Sequence, residues 1–142
     1  MSLPSHTAPK RATGTTRLIR IVVGTGSALA LLTALYLGAA RLYSEARVQA
    51  AQQAPVVTGV TRVTMTDFTF SPPNIRVVKG ATVTWVNKDT APHNIVFDNN
   101  MAQSAILPTH RGIYSYALLT PGTYTYHCGL HPEMVGKVIV TG

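Results

Sequence analysis

Two hydropathy patterns divide the chain. From Ile21 to Ala40 the residues run without a single charge, whereas from Val57 onward β-branched and aromatic residues come in short runs broken by Gly, Pro and Asn. The second pattern is that of an all-β sandwich or barrel. It predicts seven strands: Val57–Met65, Ile75–Lys79, Thr82–Asn87, His93–Phe97, Gly112–Ala117, Gly122–Cys128 and Gly136–Thr141. Turn chemistry falls between them at Ser71-Pro72-Pro73-Asn74, Lys79-Gly80, Asn87-Lys88-Asp89 and Pro121-Gly122, and a long loop with little periodicity covers Asp98–Arg111. After residue 56 no helix of convincing length is expected, and no internal repeat is present. The first pattern is long enough to cross a bilayer as a helix, which takes roughly 20 apolar residues.

The expected organisation is therefore a polar, basic, disordered tail over 1–17, a transmembrane signal anchor over 18–40, a connecting segment over 41–55 and a folded domain over 56–142. The connecting segment ends Ala-Ala-Gln-Gln-Ala-Pro55 and reads as a helical extension of the anchor or as a tether, closed by the proline. Within the domain, side chains two apart on a strand share a face. Tyr124, Tyr126 and Cys128 should point one way, with Thr125 and His127 pointing the other. For Thr82-Val83-Thr84-Trp85-Val86 two readings stay open: either the threonines face out together with Val86, or the alternation breaks at Trp85.

Charge sharpens the topology. Lys10, Arg11, Arg17 and Arg20 precede the apolar run with no acid among them, which favours a cytoplasmic N-terminus and puts the domain on the periplasmic or extracellular side. Arg41 and Arg47 on the far side reduce that asymmetry without reversing it. The second choice is a cleaved signal peptide, with Val48-Gln49-Ala50 or Gly38-Ala39-Ala40 at the cut and a soluble periplasmic product. The run is longer than the usual signal core of about 7–15 residues. The net charge of +7 does not indicate a nucleic-acid partner: residues 1–50 hold six of the twelve cations and one of the five acids, so most of the excess lies outside the domain. No basic cluster interleaved with aromatics occurs in the domain.

Export also makes the single cysteine informative, because disulfides are the ordinary use of cysteine outside the cytoplasm and Cys128 has no partner in the chain. It stands in Tyr126-His127-Cys128-Gly129-Leu130-His131-Pro132-Glu133-Met134. Gly129 and Pro132 penalise a helix here, so Cys128, His131 and Met134 come from one tight loop between two strands. His93, in Ala91-Pro92-His93-Asn94-Ile95-Val96-Phe97, must arrive from a separate strand. A soft thiolate, two imidazoles and a thioether make the His₂Cys set with weak axial Met that marks blue-copper electron-transfer centres. Such a mixture matches the ideal geometry of neither Cu(I) nor Cu(II), so one electron is exchanged with little ligand movement. Zinc is the rival metal, but a thioether suits it badly as a fourth ligand.

His93-Asn94 with Cys128-x-x-His131-x-x-Met134, embedded in Tyr124-Thr125-Tyr126-His127-Cys128 and followed by Val135-Gly136-Lys137-Val138-Ile139-Val140, resembles the cupredoxins. The short loop is similar to that of amicyanin in particular, and plastocyanins share the pattern. The resemblance covers roughly residues 57–142 and implies a Greek-key β-sandwich with His93, Cys128 and His131 as equatorial copper ligands and Met134 as the axial one. It also implies that the Asn94 backbone N–H donates to the thiolate and that the edge of His131 is the electron port. Leu130 stands where amicyanins usually have proline. Its N–H is expected to reach the Cys128 sulfur and raise the potential.

The function expected is a membrane-tethered carrier of single electrons between redox partner proteins, a dehydrogenase or a cytochrome by kinship, acting as a monomeric domain and not as an enzyme. A copper chaperone or storage protein is the alternative; it would favour exposed Met/His clusters, and none occurs. Multicopper enzymes need His-x-His pairs and binuclear copper domains need two cysteines, and this chain has neither. Pro92, Leu130 and Pro132 are expected to form a small apolar docking patch suited to weak redox encounters. His127 is expected on the face opposite Cys128, His110 and His6 in solvent, and Met65, Met101 and Tyr126 in packing roles. A sandwich of this size buries only somewhat over ~60% of its unfolded surface, so a bound metal should add to its stability.

Overall fold

A computed structural model describes residues 25–142; the predicted tail over 1–17 and the predicted anchor's first residues, 18–24, lie outside the described residues. One helix, α1 (Thr25–Gln53), is followed by nine strands: β1 (Val57–Thr58), β2 (Arg62–Thr66), β3 (Thr69–Ser71), β4 (Asn74–Val78), β5 (Thr82–Asn87), β6 (Val96–Phe97), β7 (Ile113–Ala117), β8 (Gly122–His127) and β9 (Val135–Thr141). They form two sheets, β1-β4-β9-β8-β6 and β3-β2-β5-β7. This is the predicted β-sandwich preceded by a helix. Both sheets are mixed, since β1–β4, β4–β9 and β2–β5 are parallel pairs and the remainder antiparallel.

Three departures from the predicted strands have local causes. The first strand is cut in two at Gly59, whose φ of +80° turns the chain from one sheet to the other. The fourth shrinks to Val96–Phe97, because His93 leaves the ladder after one isolated bridge to Leu107. The third is an unpredicted strand, β3, joined to β2 by the two-residue turn Asp67-Phe68, with Thr66 opposite Thr69. Both turn residues have positive φ, 49° and 53°, which hairpins usually assign to Asn-Gly.

The core lies between the sheets. Trp85, Tyr126, Phe97, Met65, Val63 and Val138 are fully buried, and the Trp85 ring meets Tyr126 and Phe97 edge-on at 5.4 and 5.8 Å between centroids. Alternation on β5 is unbroken at Trp85: Val83, Trp85 and Asn87 share the core face, while Val86 shares the threonines' face yet is itself buried. On β8 the predicted alternation holds, with Tyr126 and Cys128 buried and Thr125 exposed. Gly136 permits this packing, because a Cβ there would lie 2.6 Å from the Tyr126 ring and 2.7 Å from the Pro73 carbonyl.

Helix α1 runs through the end of the predicted anchor and nearly all of the connecting segment without a break. Its apolar side chains from Leu29 to Leu37 are exposed. Ala51 cannot find a helical donor four residues on, because residue 55 is proline and has no N–H. Asn74 supplies one. This buried side chain on β4 donates from Nδ2 to the carbonyls of Ala51 and Ala54, both at 2.8 Å, and so caps the helix from another element.

Candidate metal centre

The β8–β9 hairpin pairs through His127 and Val135, which leaves Cys128–Met134 as its loop. Three backbone hydrogen bonds fold that loop on itself: His131 N–H to Cys128 O, Met134 N–H to His131 O, and Cys128 N–H to Met134 O. Cys128, His131 and Met134 are thereby held at one end of the sandwich, with Cys128 and Met134 buried and His131 half-buried. His93 is brought to them by its two backbone hydrogen bonds with Leu107.

The ligating atoms of His93, Cys128 and His131 all lie within 4.8 Å of one another. Cys128 Sγ is 3.6 Å from His93 Nδ1 and 3.7 Å from His131 Nδ1, and the two Nδ1 atoms are 3.1 Å apart. Three electron-pair donors converging this closely suit a shared cation, and the soft sulfur beside two imidazoles suits copper. Burial pushes the His93 pKa below the ordinary histidine value, against the pull of Asp89. The ring is therefore neutral near pH 7, the form that ligates.

Three supports surround these side chains. Asp89 Oδ2 sits 3.2 Å from His93 Nε2, the ring nitrogen turned away from the cysteine, and fixes the orientation of the ring. Burial opposes ionisation of Asp89, but hydrogen bonds from Phe68 N–H, His93 and Thr90 N–H outweigh it and hold the carboxyl below its usual range. Asn94 acts through its side chain: Oδ1 accepts from the Gly129 N–H at 2.7 Å and lies 3.6 Å from the Cys128 sulfur. Finally, the Phe68 ring packs edge-on against His131 and His93, with centroids at 4.8 and 5.7 Å.

Two details differ from expectation. The sulfur's hydrogen-bond partners among the described residues are the side chains of His93, Asn94 and His131, and neither the Asn94 nor the Leu130 backbone N–H is one of them. The turn over Cys128–His131 closes through the Cys128 carbonyl, which accepts the His131 N–H. His127 lies away from the site as expected, with Nδ1 2.6 Å from Asp98 Oδ1. Met65 and Tyr126 are core residues. Asp89 and Phe68 were not singled out by sequence. A carboxylate four residues before a ligand histidine is a usable sign, whereas Phe68 carries none.

A two-sheet sandwich that carries a Cys-His-Met loop at one end and a second histidine from a neighbouring segment is a cupredoxin. The sequence matches the family described as "Cupredoxin-like domain" over residues 28–140, and the chain belongs to it. It is 36% identical over 97 residues to amicyanin-alpha of Methylorubrum extorquens, covering 65% of this chain and 79% of that protein. To amicyanin of Paracoccus denitrificans it is 36% identical over 91 residues, covering 61% and 70%. A purple cupredoxin from Nitrosopumilus maritimus superposes with a TM-score of 0.54 at 29% identity, over 58% of this chain and 100% of that one. A reduced mutant of amicyanin gives 0.54 at 32% identity, over 58% and 83%. The cofactor of this site is one type 1 copper.

Proposed function

We propose that the protein is a membrane-tethered electron carrier whose copper would be held by His93, Cys128, His131 and Met134. The observation that carries this reading is the convergence of the Cys128 sulfur and two imidazole nitrogens within 4.8 Å at the end of the β8–β9 hairpin. Bound copper supplies a one-electron couple between Cu(I) and Cu(II).

What the chain contributes is rigidity and dryness. Asp89 fixes the His93 ring, Asn94 pins the loop at Gly129, and three internal backbone bonds hold the loop's shape, so the donors keep their places as charge changes. Burial of Cys128 and Met134 excludes water from the sulfur side. His131 is the half-buried ligand and therefore the port through which electrons enter and leave. The partners are redox proteins, with a dehydrogenase or a cytochrome favoured by the similarity to amicyanin. Carriage without bond chemistry makes the protein a carrier and not an enzyme.

The tether is the 18–40 segment, with the domain over 56–142 on the outer side. Its support is a helix long and apolar enough to cross a membrane, Ser27–Gln53 by length and composition, whose apolar side chains from Leu29 to Leu37 are exposed. The decisive measurement is to add Cu(II) to the full chain in detergent and record visible and electron paramagnetic resonance spectra. An intense blue band that disappears in Cys128→Ser is expected. A colourless product, or colour that survives Cys128→Ser, would overturn the assignment.

A further inference from the structure

The end of α1 does not merely lead into the domain; it is bound to the copper-site end of it. Arg47 donates from Nη1 to the Tyr43 hydroxyl one turn back, and from Nη2 to the carbonyls of Asp67 and Phe68. Those two residues form the β2–β3 turn whose phenylalanine packs on His131. One turn further along, the Ala51 carbonyl is bound by Asn74, and so is that of Ala54 beyond the helix end. Beyond Pro55 the chain enters β1, which runs parallel to β4 and away from the copper end. Leaving the apolar segment, the chain thus passes the copper end first and the opposite end, near Leu119 and Thr141, last.

Distances give this order a physical meaning. Arg41 is the first charge after the apolar run, and from Ala40 to Arg47 a helix rises about 10 Å. The polar headgroup layer occupies roughly 5–8 Å on each side of the hydrocarbon. The Arg47–Phe68 contact therefore sits only just beyond the headgroups. The two ends of the sandwich are separated by about 20 Å, the length of β9.

We infer that helix α1 is a strut that turns the copper end of the domain, with the exposed side chains of Phe68 and Leu130 beside His131, toward the membrane surface. The electron-exchange partner is accordingly a redox protein held in the same membrane, and not one that approaches from bulk solution. Two observations carry this: polar contacts on two successive turns of the helix join it to the copper end of the domain, and β1 and β4 lead away from that end. The inference rests on the tether reading above.

Tryptophan placed at each end tests it. Leu130→Trp and Leu119→Trp are each introduced into the full chain in phosphatidylcholine vesicles, with and without a lipid spin-labelled at its headgroup. Trp85 is common to both. Several-fold stronger quenching at position 130 than at 119 is expected, and Arg47→Ala with Asn74→Ala should shrink that contrast. Equal quenching, or stronger quenching at 119, in vesicles that carry the protein on flotation overturns the strut alone. Protein that does not float with the vesicles overturns the tether and the strut together. For the partner, a reduced soluble haem protein should reduce the vesicle-bound copper form far more slowly, relative to ascorbate, than it reduces the same form carrying Arg47→Ala and Asn74→Ala. An unchanged ratio overturns the membrane-partner clause. Blue colour in the same samples reports on the copper site independently.

Discussion

Asp89 stands outside the cluster of candidate ligands, yet it fixes the ring of one of them and the backbone of the turn that packs on another. Its carboxylate meets His93 Nε2 at 3.2 Å and accepts the Phe68 N–H at 2.8 Å. Loss of such a support beside a ligand histidine typically weakens metal binding about 10–100-fold. Asp89→Asn should do so here, measured by competition against a chromophoric chelator, while Asp98→Asn at the exposed His127 pair leaves affinity unchanged. Equal affinities for the two variants would show that the His93 ring is held by packing alone. Acid should unfold the copper-free protein through the same two residues. His93 has a folded pKa below its ordinary value of 6.5, so as pH falls through that value the unfolded chain takes up the proton and the folded one resists. Stability is then present above the unfolded pKa and declines as pH falls; the depressed carboxyl of Asp89 extends the loss further into acid. Urea midpoints across pH should drop on acidification, and His93→Gln should flatten the upper part of that curve. The four candidate ligands were legible from sequence because a lone cysteine followed at three and six residues by histidine and methionine, with a His-Asn pair upstream, has few other uses. Asp89 was not singled out: its place four residues before His93 is a sign, but spacing alone does not bury the carboxylate against that ring.

At the scale of elements, the β2–β3 hairpin is the part that hydropathy did not reveal. Its turn, Asp67-Phe68, puts two ordinary residues at positive φ, where a side chain costs roughly 1–2 kcal/mol relative to glycine. Sequence rules look for Asn-Gly at such a turn, so no strand was predicted between Met65 and Ser71. Contacts available only in the folded chain hold it: Phe68 packs on His131, its N–H reaches Asp89, and its carbonyl receives Arg47. Comparing Phe68→Gly with Phe68→Ala separates strain from packing. Both lose the ring, but only alanine keeps the backbone penalty, so Phe68→Gly should be the more stable by about 1 kcal/mol in denaturant titrations. If alanine is equal or better, the turn is not strained. The strands β5, β7, β8 and β9, by contrast, lie within one residue of their predicted limits, and in β9 the alternation is complete, with Gly136, Val138 and Val140 buried and the residues between them less so.

For the whole molecule, the connection between helix and sandwich decides whether the two are loosely joined or form one body. Sequence left the segment 41–55 open between those two, since local propensity allows a helix there but cannot say what it touches. Asn74 settles its use. Pro55 removes the donor that Ala51 would otherwise have, and α1 has no basic residue in its last turn to satisfy the free carbonyls. The Asn74 amide, buried and on the strand next to β9, is the substitute. Asn74→Ala would leave the Ala51 and Ala54 carbonyls without this donor in a half-buried setting, a loss of about 1–3 kcal/mol. The full chain in detergent should therefore unfold at lower denaturant, and amide exchange should quicken over residues 50–54 while β4 and β9 keep their protection. The blue spectrum should be unchanged, because Asn74 touches no ligand. Unaltered exchange at the helix end would mean that α1 ends without help from the sandwich, and the orientation of the copper end would then depend on Arg47 alone.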